Sequence, residues 1–333
     1  MIVDLEHTLN IWVLTEGIAG TENQCLGVAE RLGGVIGQNI KVLRTKLKQP
    51  WRMLSPYLGG GAPFVYTSDS DIPAPPWPDV VIASGRKSIA SALYIKRQSA
   101  GKTLIVQLQD PRWAASKFDL VAVPFHDGYR GENAQVTHGA PNRVDAQKLN
   151  AEKGIWSPPA SWDNKRENIA LLIGGKSRAY DFSDEAIARM VFMTLSLAQK
   201  NYNVMVTASR RTGAKNYDFI SKVLSQHEHI YFWHGDGENP YFSFLAHADH
   251  IIVTPDSASM LSEAASTGKS TYCLDIPGGN EKFSRFHKHM EEIGAVKPLK
   301  MEAPQLNFKP QIVLNDAALV AEKISALIAE KRA

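Results

Sequence analysis

Short, β-rich apolar runs alternate along this chain with stretches of helical period, and the alternation starts afresh after residue 160. The pattern restricts the fold, because consecutive parallel strands need crossover connections and helices are the usual ones. Strands are expected at residues 11–14, 79–83, 103–108 and 120–123, with a helix over 22–32. The second half repeats the rhythm, with strands at 169–173, 203–208, 229–233 and 250–253 and helices at 183–200, 216–225 and 241–247. Residues 72–78 hold four prolines and are expected as an extended loop. Residues 156–162, with Pro158 and Pro159, are read as the linker. The expectation is an α/β chain of two doubly wound, Rossmann-like parallel-sheet domains facing a cleft, residues 1–160 and 161–333. A length of 333 residues, more than one core usually organises, agrees.

Composition excludes more than it selects. With 37 basic and 34 acidic residues the net charge is +3, so nucleic acid is not an expected partner. Cys25 and Cys273 lack metal-ligand spacing, which argues against a zinc site or a disulfide framework and for buried thiols. No apolar run reaches the ~18 residues of a spanning helix. Asp4, Glu6 and His7 stand where a secretory signal needs a basic start, so a soluble, cytoplasmic protein is expected.

Three segments of the second half carry ligand chemistry. In the first, Leu171-Leu172-Ile173 runs into Gly174-Gly175-Lys176, where paired glycines let backbone N–H groups approach an anion and a lysine adds charge. A P-loop would need glycine where Ala170 stands, so that reading fails, and a tight strand-to-helix turn is the plain alternative. In the second, Ser209-Arg210-Arg211 follows the next strand, with guanidinium groups suited to clamp phosphate or simply to meet solvent. The third follows residues 250–253: Ser257 or Ser259 opens a helix whose N-terminus suits a phosphate, and Glu263 lies about one turn further on. Glu263 serves there either as a helix-solvating group or as an acceptor for ribose hydroxyls. Trp233 and His234 end another strand at the same edge, placed to flank a nucleobase or to pack and be solvated.

The segment from Ile251 to Lys269 resembles the donor-site motif of glycosyltransferase-B enzymes, among them the peptidoglycan transferase that adds N-acetylglucosamine to a lipid-linked acceptor. That resemblance implies the glycosyltransferase-B fold, with Glu263 on the ribose and Ser257, Ser259 and Met260 lining the phosphates. Across nearly the whole chain, Thr15-Glu16-Gly17, Ser84-Gly85-Arg86, Gln109-Asp110-Pro111-Arg112, Pro124-Phe125-His126-Asp127, Ser209-Arg210-Arg211-Thr212, Gly237-Glu238-Asn239-Pro240-Tyr241 and the Asp256 segment resemble the mitochondrial fission Elm family. Bacterial members of that family often carry a nucleotide-sugar-epimerase label, and a plant member recruits a dynamin-like protein.

The resulting expectation is hexosyl-type transfer from a nucleotide diphosphate sugar, bound as substrate by residues 161–333, with no tightly bound cofactor and no metal. Inverting transfer needs a base near the acceptor hydroxyl. The first half offers Glu16, Glu22, Asp110 and the His126-Asp127 pair, with Asp110 and Asp127 favoured and Arg86 as a phosphate contact. A nucleotide-sugar epimerase and a non-catalytic scaffold are the alternatives. A single glutamate in Ser262-Glu263-Ala264, where an epimerase is expected to carry consecutive ones, favours transfer. Basic residues from Lys41 to Arg52, interleaved with Leu47, Trp51, Met53, Leu54, Tyr57 and Leu58, read either as a strand followed by a packed helix or as a face for anionic lipid. The second reading places the protein peripherally on the inner face of the membrane, within reach of a lipid-linked acceptor.

Overall fold

The computed structural model describes residues 8–32, 38–55 and 63–332, and the chain divides into two compact units, Met1–Arg143 with Asn315–Ala333, and Val144–Leu314. Asp4, Glu6 and His7 of the signal argument, and Tyr57 and Leu58 of the basic and apolar stretch, lie outside the described residues.

In the first unit the elements run β1 (Leu9–Thr15), α1 (Ala19–Leu32), β2 (Gln38–Arg44), α2 (Trp51–Leu54), β3 (Val80–Ser84), α3 (Ser88–Gln98), β4 (Leu104–Leu108), β5 (Leu120–Pro124) and β6 (Ala134–Thr137). They form one parallel sheet in the order β2-β1-β3-β4-β5-β6. β3, β4 and β5 are buried along their whole length, as near-continuous apolar runs in a sheet covered on both faces must be. The sheet order sends the loops after β1, β3, β4 and β5 out at one edge, side by side.

The second unit contains α4 (Ala146–Glu152), β7 (Glu167–Ile173), α5 (Asp184–Gln199), β8 (Tyr202–Ala208), α6 (Ala214–Leu224), β9 (Ile230–Phe232), α7 (Tyr241–His247), β10 (His250–Val253), α8 (Ala258–Ala265), β11 (Ser270–Leu274), α9 (Glu281–Glu292) and β12 (Lys297–Leu299). Its sheet, also parallel, has the order β12-β11-β10-β7-β8-β9. Serine and asparagine caps start three of its helices: Ser183 Oγ accepts from Ala186 N–H, Ser257 Oγ from Met260 N–H and Asn280 Oδ1 from Phe283 N–H.

The boundary differs from the one read at residue 160. Trp156 packs 4.9 Å from the Phe244 ring and 5.1 Å from the Tyr231 ring, and buried Trp162 donates its indole N–H to the Glu228 carbonyl at 2.9 Å. Residues 156–162 therefore belong to the second unit, anchored on its core by their two tryptophans. The last helix, α10 (Asp316–Arg332), returns to the first unit and packs on α1 through Val320, Ala321, Ile324 and Ile328. Its start is fixed by Asp316, whose carboxylate accepts the His138 and Gly139 N–H groups at 2.9 and 2.8 Å.

Candidate functional site

In the second unit β7 lies between β10 and β8, so three loops leave neighbouring strands at one edge. They meet on Asp256. Its Oδ2 accepts the Gly175 N–H at 3.0 Å and pairs with Arg211 Nη2 at 2.7 Å, while its Oδ1 accepts the Thr254 hydroxyl at 2.7 Å. Thr254 Oγ1 in turn accepts the Gly174 N–H at 2.8 Å, and the Thr212 hydroxyl donates to the Gly174 carbonyl. The Asp256 side chain is 0% exposed and that of Arg211 44%. A buried carboxylate is costly unless paired and hydrogen-bonded, and here both oxygens are satisfied. The arrangement also explains the glycines. A Cβ on Gly174 would stand 2.1 Å from Asp256 Oδ1, and one on Gly175 2.1 Å from the Arg211 carbonyl carbon and oxygen.

The glycine loop therefore departs from its expected role. The N–H groups of Gly174, Gly175 and Lys176 are taken by Thr254, Asp256 and the Arg211 carbonyl, so they form no anion nest. The Lys176 ammonium pairs with Asp181 at the surface, 3.1 Å away. Ser209 Oγ accepts the Arg211 N–H at 3.2 Å and so shapes the loop. Arg210 is exposed, and Arg211 is the cation that the network holds in place.

Directly after Asp256, Ser257 caps α8, and Ser257, Ala258, Ser259 and Met260 are partly exposed. Glu263 is 4% exposed and receives the Tyr241 hydroxyl on Oε2 at 2.5 Å. Burial pushes its carboxyl up to about 7, partly offset by the tyrosine hydrogen bond. Desolvation also pushes the Tyr241 phenol well above its ordinary value, with the Glu263 charge adding to it. Tyr241, read from sequence only as a helix start, thus belongs to the site. Both ring nitrogens of His234 are held, by Ser221 Oγ at 3.1 Å and Ser225 Oγ at 3.2 Å, which fixes the exposed ring against the C-terminal end of α6. Trp233 stays partly exposed, its indole N–H on the Asp236 carbonyl at 3.2 Å.

Sequence reasoning also missed the loop after β11. Gly278 and Gly279 adopt φ of 128° and 104°, Gly278 bridges to Tyr180, and Gly279 N–H donates to the Ala179 carbonyl at 2.7 Å. The adjacent Gly278-Gly279 pair is the one signal that marked it.

In the first unit the expected residues share the sheet edge without forming one cluster. Glu16 pairs with Lys87, and Glu22 holds Arg44 through two hydrogen bonds of 2.9 and 2.7 Å, which lowers its carboxyl. Arg86 donates to the Ser55 carbonyl at 3.2 Å. His126 and Asp127 are buried in the turn after β5, where Asp127 N–H bonds the Pro124 carbonyl and Arg130 bonds the Asp127 carbonyl. Asp110 is partly exposed, forms no ion pair among the described residues, and accepts the Arg112 N–H on Oδ1 at 2.7 Å. Its loop is conformationally demanding, with φ of 75° at Gln109 and 60° at Arg112. Among the described residues no three His, Cys, Asp or Glu side chains gather as metal ligands, and no helix is long and apolar enough to cross a membrane.

Comparison with known proteins adds family and fold. The family model described as mitochondrial fission ELM1 matches residues 19–328. The mitochondrial fission protein ELM1 of Arabidopsis thaliana is 27% identical over 277 residues, 76% of this chain and 65% of the plant protein, so the match spans less than two thirds of that relative. An uncharacterized protein of Rickettsia prowazekii, RP120, is 26% identical over 95% of this chain and 98% of its own length. Among solved structures, the UDP-GlcNAc 2-epimerase of Neisseria meningitidis bound to UDP-GlcNAc superimposes with a TM-score of 0.57 at 14% identity, covering 97% of this chain and all of that one. The similarity is one of fold, to which this chain brings two six-stranded parallel sheets.

Proposed function

The chain belongs to the mitochondrial fission ELM1 family, and from that premise we propose that its second unit binds the diphosphate of a nucleotide sugar and that the protein transfers the sugar to an acceptor held by the first unit. One observation carries the reading: buried Asp256 fixes the Arg211 guanidinium immediately before the N-terminus of α8. A guanidinium retaining free donors, next to the positive end of a helix, suits a diphosphate and its developing charge as a leaving group. Asp110 is the favoured base, since Glu16 is ion-paired and Asp127 sits in a buried turn. Transfer is favoured over epimerisation because Asp256 and Glu263, the buried carboxylates at this edge, are engaged by Arg211 and Tyr241. Elimination chemistry needs several acid–base carboxylates around the sugar.

Thermal shift with a panel of nucleoside diphosphates tests this reading. A ligand at ~100 times its dissociation constant stabilises by ~2.7 kcal/mol. An unchanged melting temperature with every diphosphate would favour the non-catalytic alternative.

The acceptor is proposed to be lipid-linked. Met53, 70% exposed, and Leu54 on α2 adjoin Trp51, which meets exposed Phe64 edge to face at 5.5 Å, with Lys48 and Arg52 exposed beside them. The face is smaller than the sequence implied, because Leu43 and Leu47 are buried, Lys41 lies over Trp12, and Lys46 pairs with Asp69. Co-sedimentation with anionic vesicles at low salt, lost on replacing Met53 and Phe64 by serine, supports this acceptor; failure to co-sediment rejects it.

A further inference from the structure

β2 ends the first unit's sheet and pairs with β1 on one side only among the described residues. In a parallel pair, alternate residues turn both backbone groups to the same side. Thr45 N–H donates to the Thr15 carbonyl of β1, so by alternation Leu43, Lys41 and Asn39 face β1, whereas Arg44, Val42 and Ile40 face outwards. Arg44 follows this parity: its N–H donates to Asp71 Oδ2 at 2.7 Å, and its carbonyl accepts the Asp71 N–H at 3.2 Å. Beyond it, the chain covers its own edge. Thr67 N–H donates to the Lys46 carbonyl at 2.9 Å, Lys48 N–H to the Val65 carbonyl at 2.8 Å, and Leu47 and Tyr66 form an antiparallel bridge. The covering stretch carries acid, and its Asp69 pairs with Lys46 at 2.5 Å. Before Arg44 the cover stops: among the described residues the outward N–H and carbonyl groups of Ile40 and Val42 have no partner, and Lys41 has no carboxylate.

A cavity of about 400 Å³ adjoins this open length, lined by Asn39 and Lys41 of β2, Asn10 and Trp12 of β1, and Pro76 and Trp77. Lys41 Nζ stands 5.2 Å from the Trp12 ring centroid, and Trp77 meets Trp12 edge to face at 6.0 Å. Asn39 Nδ2 donates to Asn10 Oδ1 at 3.3 Å, which leaves Asn10 Nδ2 and Asn39 Oδ1 as a donor and an acceptor side by side. On the other face of β2, Ile40 and Val42 are half-buried against the apolar core beneath α1.

We propose that this length of β2 is a docking site for an extended acidic segment of a partner protein, which adds antiparallel beside Ile40 and Val42 as residues 65–71 add beside residues 44–48. Main-chain hydrogen bonds to Ile40 and Val42 supply affinity, and alternate side chains supply specificity. Successive side chains of the added strand point to opposite faces, so a sequence alternating glutamate with an apolar residue puts carboxylates on Lys41 and the asparagine pair and apolar groups over Ile40 and Val42. The site lies at the start of β1 and β2, the opposite end of the sheet from Glu16, Arg86 and Asp110, and is independent of the diphosphate site.

Fluorescence anisotropy of a short labelled peptide alternating glutamate with valine, titrated with the full chain, tests the proposal. Saturable binding is expected, weakened by salt and about tenfold weaker in Lys41→Glu. A peptide with lysine in place of glutamate should bind wild type poorly and Lys41→Glu better. Val42→Pro removes an N–H that faces outwards and leaves the bonds to β1 in place, so it should abolish binding while circular dichroism stays as in wild type. If that variant does not fold, the acidic peptide with alternate amides N-methylated keeps the test decisive, since it should not bind in the register that turns its methyl groups to β2. No binding of the acidic peptide, equal binding of the lysine peptide, or undiminished binding by folded Val42→Pro or of both N-methylated registers overturns the proposal. A wild-type dimer in sedimentation velocity that Val42→Pro dissolves also overturns it, by giving the edge to a second copy of this chain.

Discussion

Asp256 and Arg211 form an unequal pair, a carboxylate without solvent contact holding a guanidinium that still reaches water, 2.7 Å apart. Removing the two partners should therefore have different effects. Asp256→Ala leaves the Gly175 N–H and the Thr254 hydroxyl without their acceptor, and each such loss costs about 1–3 kcal/mol. Arg211→Ala leaves the carboxylate buried without its cation but with both of those donors. Urea denaturation should show Asp256→Ala destabilised by about 2–6 kcal/mol.

Gly175→Ala tests whether the three loops must touch. The added methyl would meet backbone of the Arg211 loop, which has no rotamer to change, so the loops must part. The expected cost is at or above the ~1–3 kcal/mol of ordinary overpacking, with diphosphate affinity lost as well. An unaltered denaturation midpoint would show that the contact is dispensable.

Glu263 gives stability a pH dependence with a definite sign. Its folded pKa, about 7, lies above the ordinary 4.5, so the folded state binds more protons between those values. Stability should fall as pH rises from 4.5 to 7, with the full penalty present above 7. Such a shift corresponds to roughly 3 kcal/mol. Glu263→Gln should therefore gain on wild type between pH 5 and pH 8, whereas parallel stability curves would show that the carboxyl titrates normally.

The last helix should be indispensable to the first unit. Deleting residues 316–333 exposes the α1 face covered by Val320, Ile324 and Ile328 and frees the His138 and Gly139 N–H groups. Circular dichroism and limited proteolysis of the truncated chain should show loss of the first unit, and a protease-resistant first unit would contradict this role.

Much of this was legible in the sequence because strands buried on both faces announce themselves as apolar runs: the segments expected at 169–173 and 250–253 coincide with β7 and β10 to within two residues. The site was legible only in part. Gly174, Arg211 and Ser257 stood out as ligand chemistry, but which N–H groups remain available depends on strand order, which sets β10 beside β7 and brings Asp256 onto the glycines. Nor does local pattern show that Tyr241 on α7 reaches Glu263 on α8, a contact between residues 22 apart in sequence. The linker was misplaced because Pro158 and Pro159 signalled irregular backbone, while the packing of Trp156 and Trp162 decided where it belongs.

The central claim is that Arg211, held by Asp256, receives a diphosphate at the start of α8. Calorimetric titration of nucleoside diphosphates into wild type, Arg211→Ala and Lys176→Ala addresses it most directly. The account predicts saturable binding by wild type, about tenfold or greater weakening in Arg211→Ala, in line with loss of a charge-assisted hydrogen bond, and little change in Lys176→Ala, whose ammonium pairs with Asp181. Binding that survives Arg211→Ala unchanged, or no binding of any diphosphate by the wild-type protein, would contradict it.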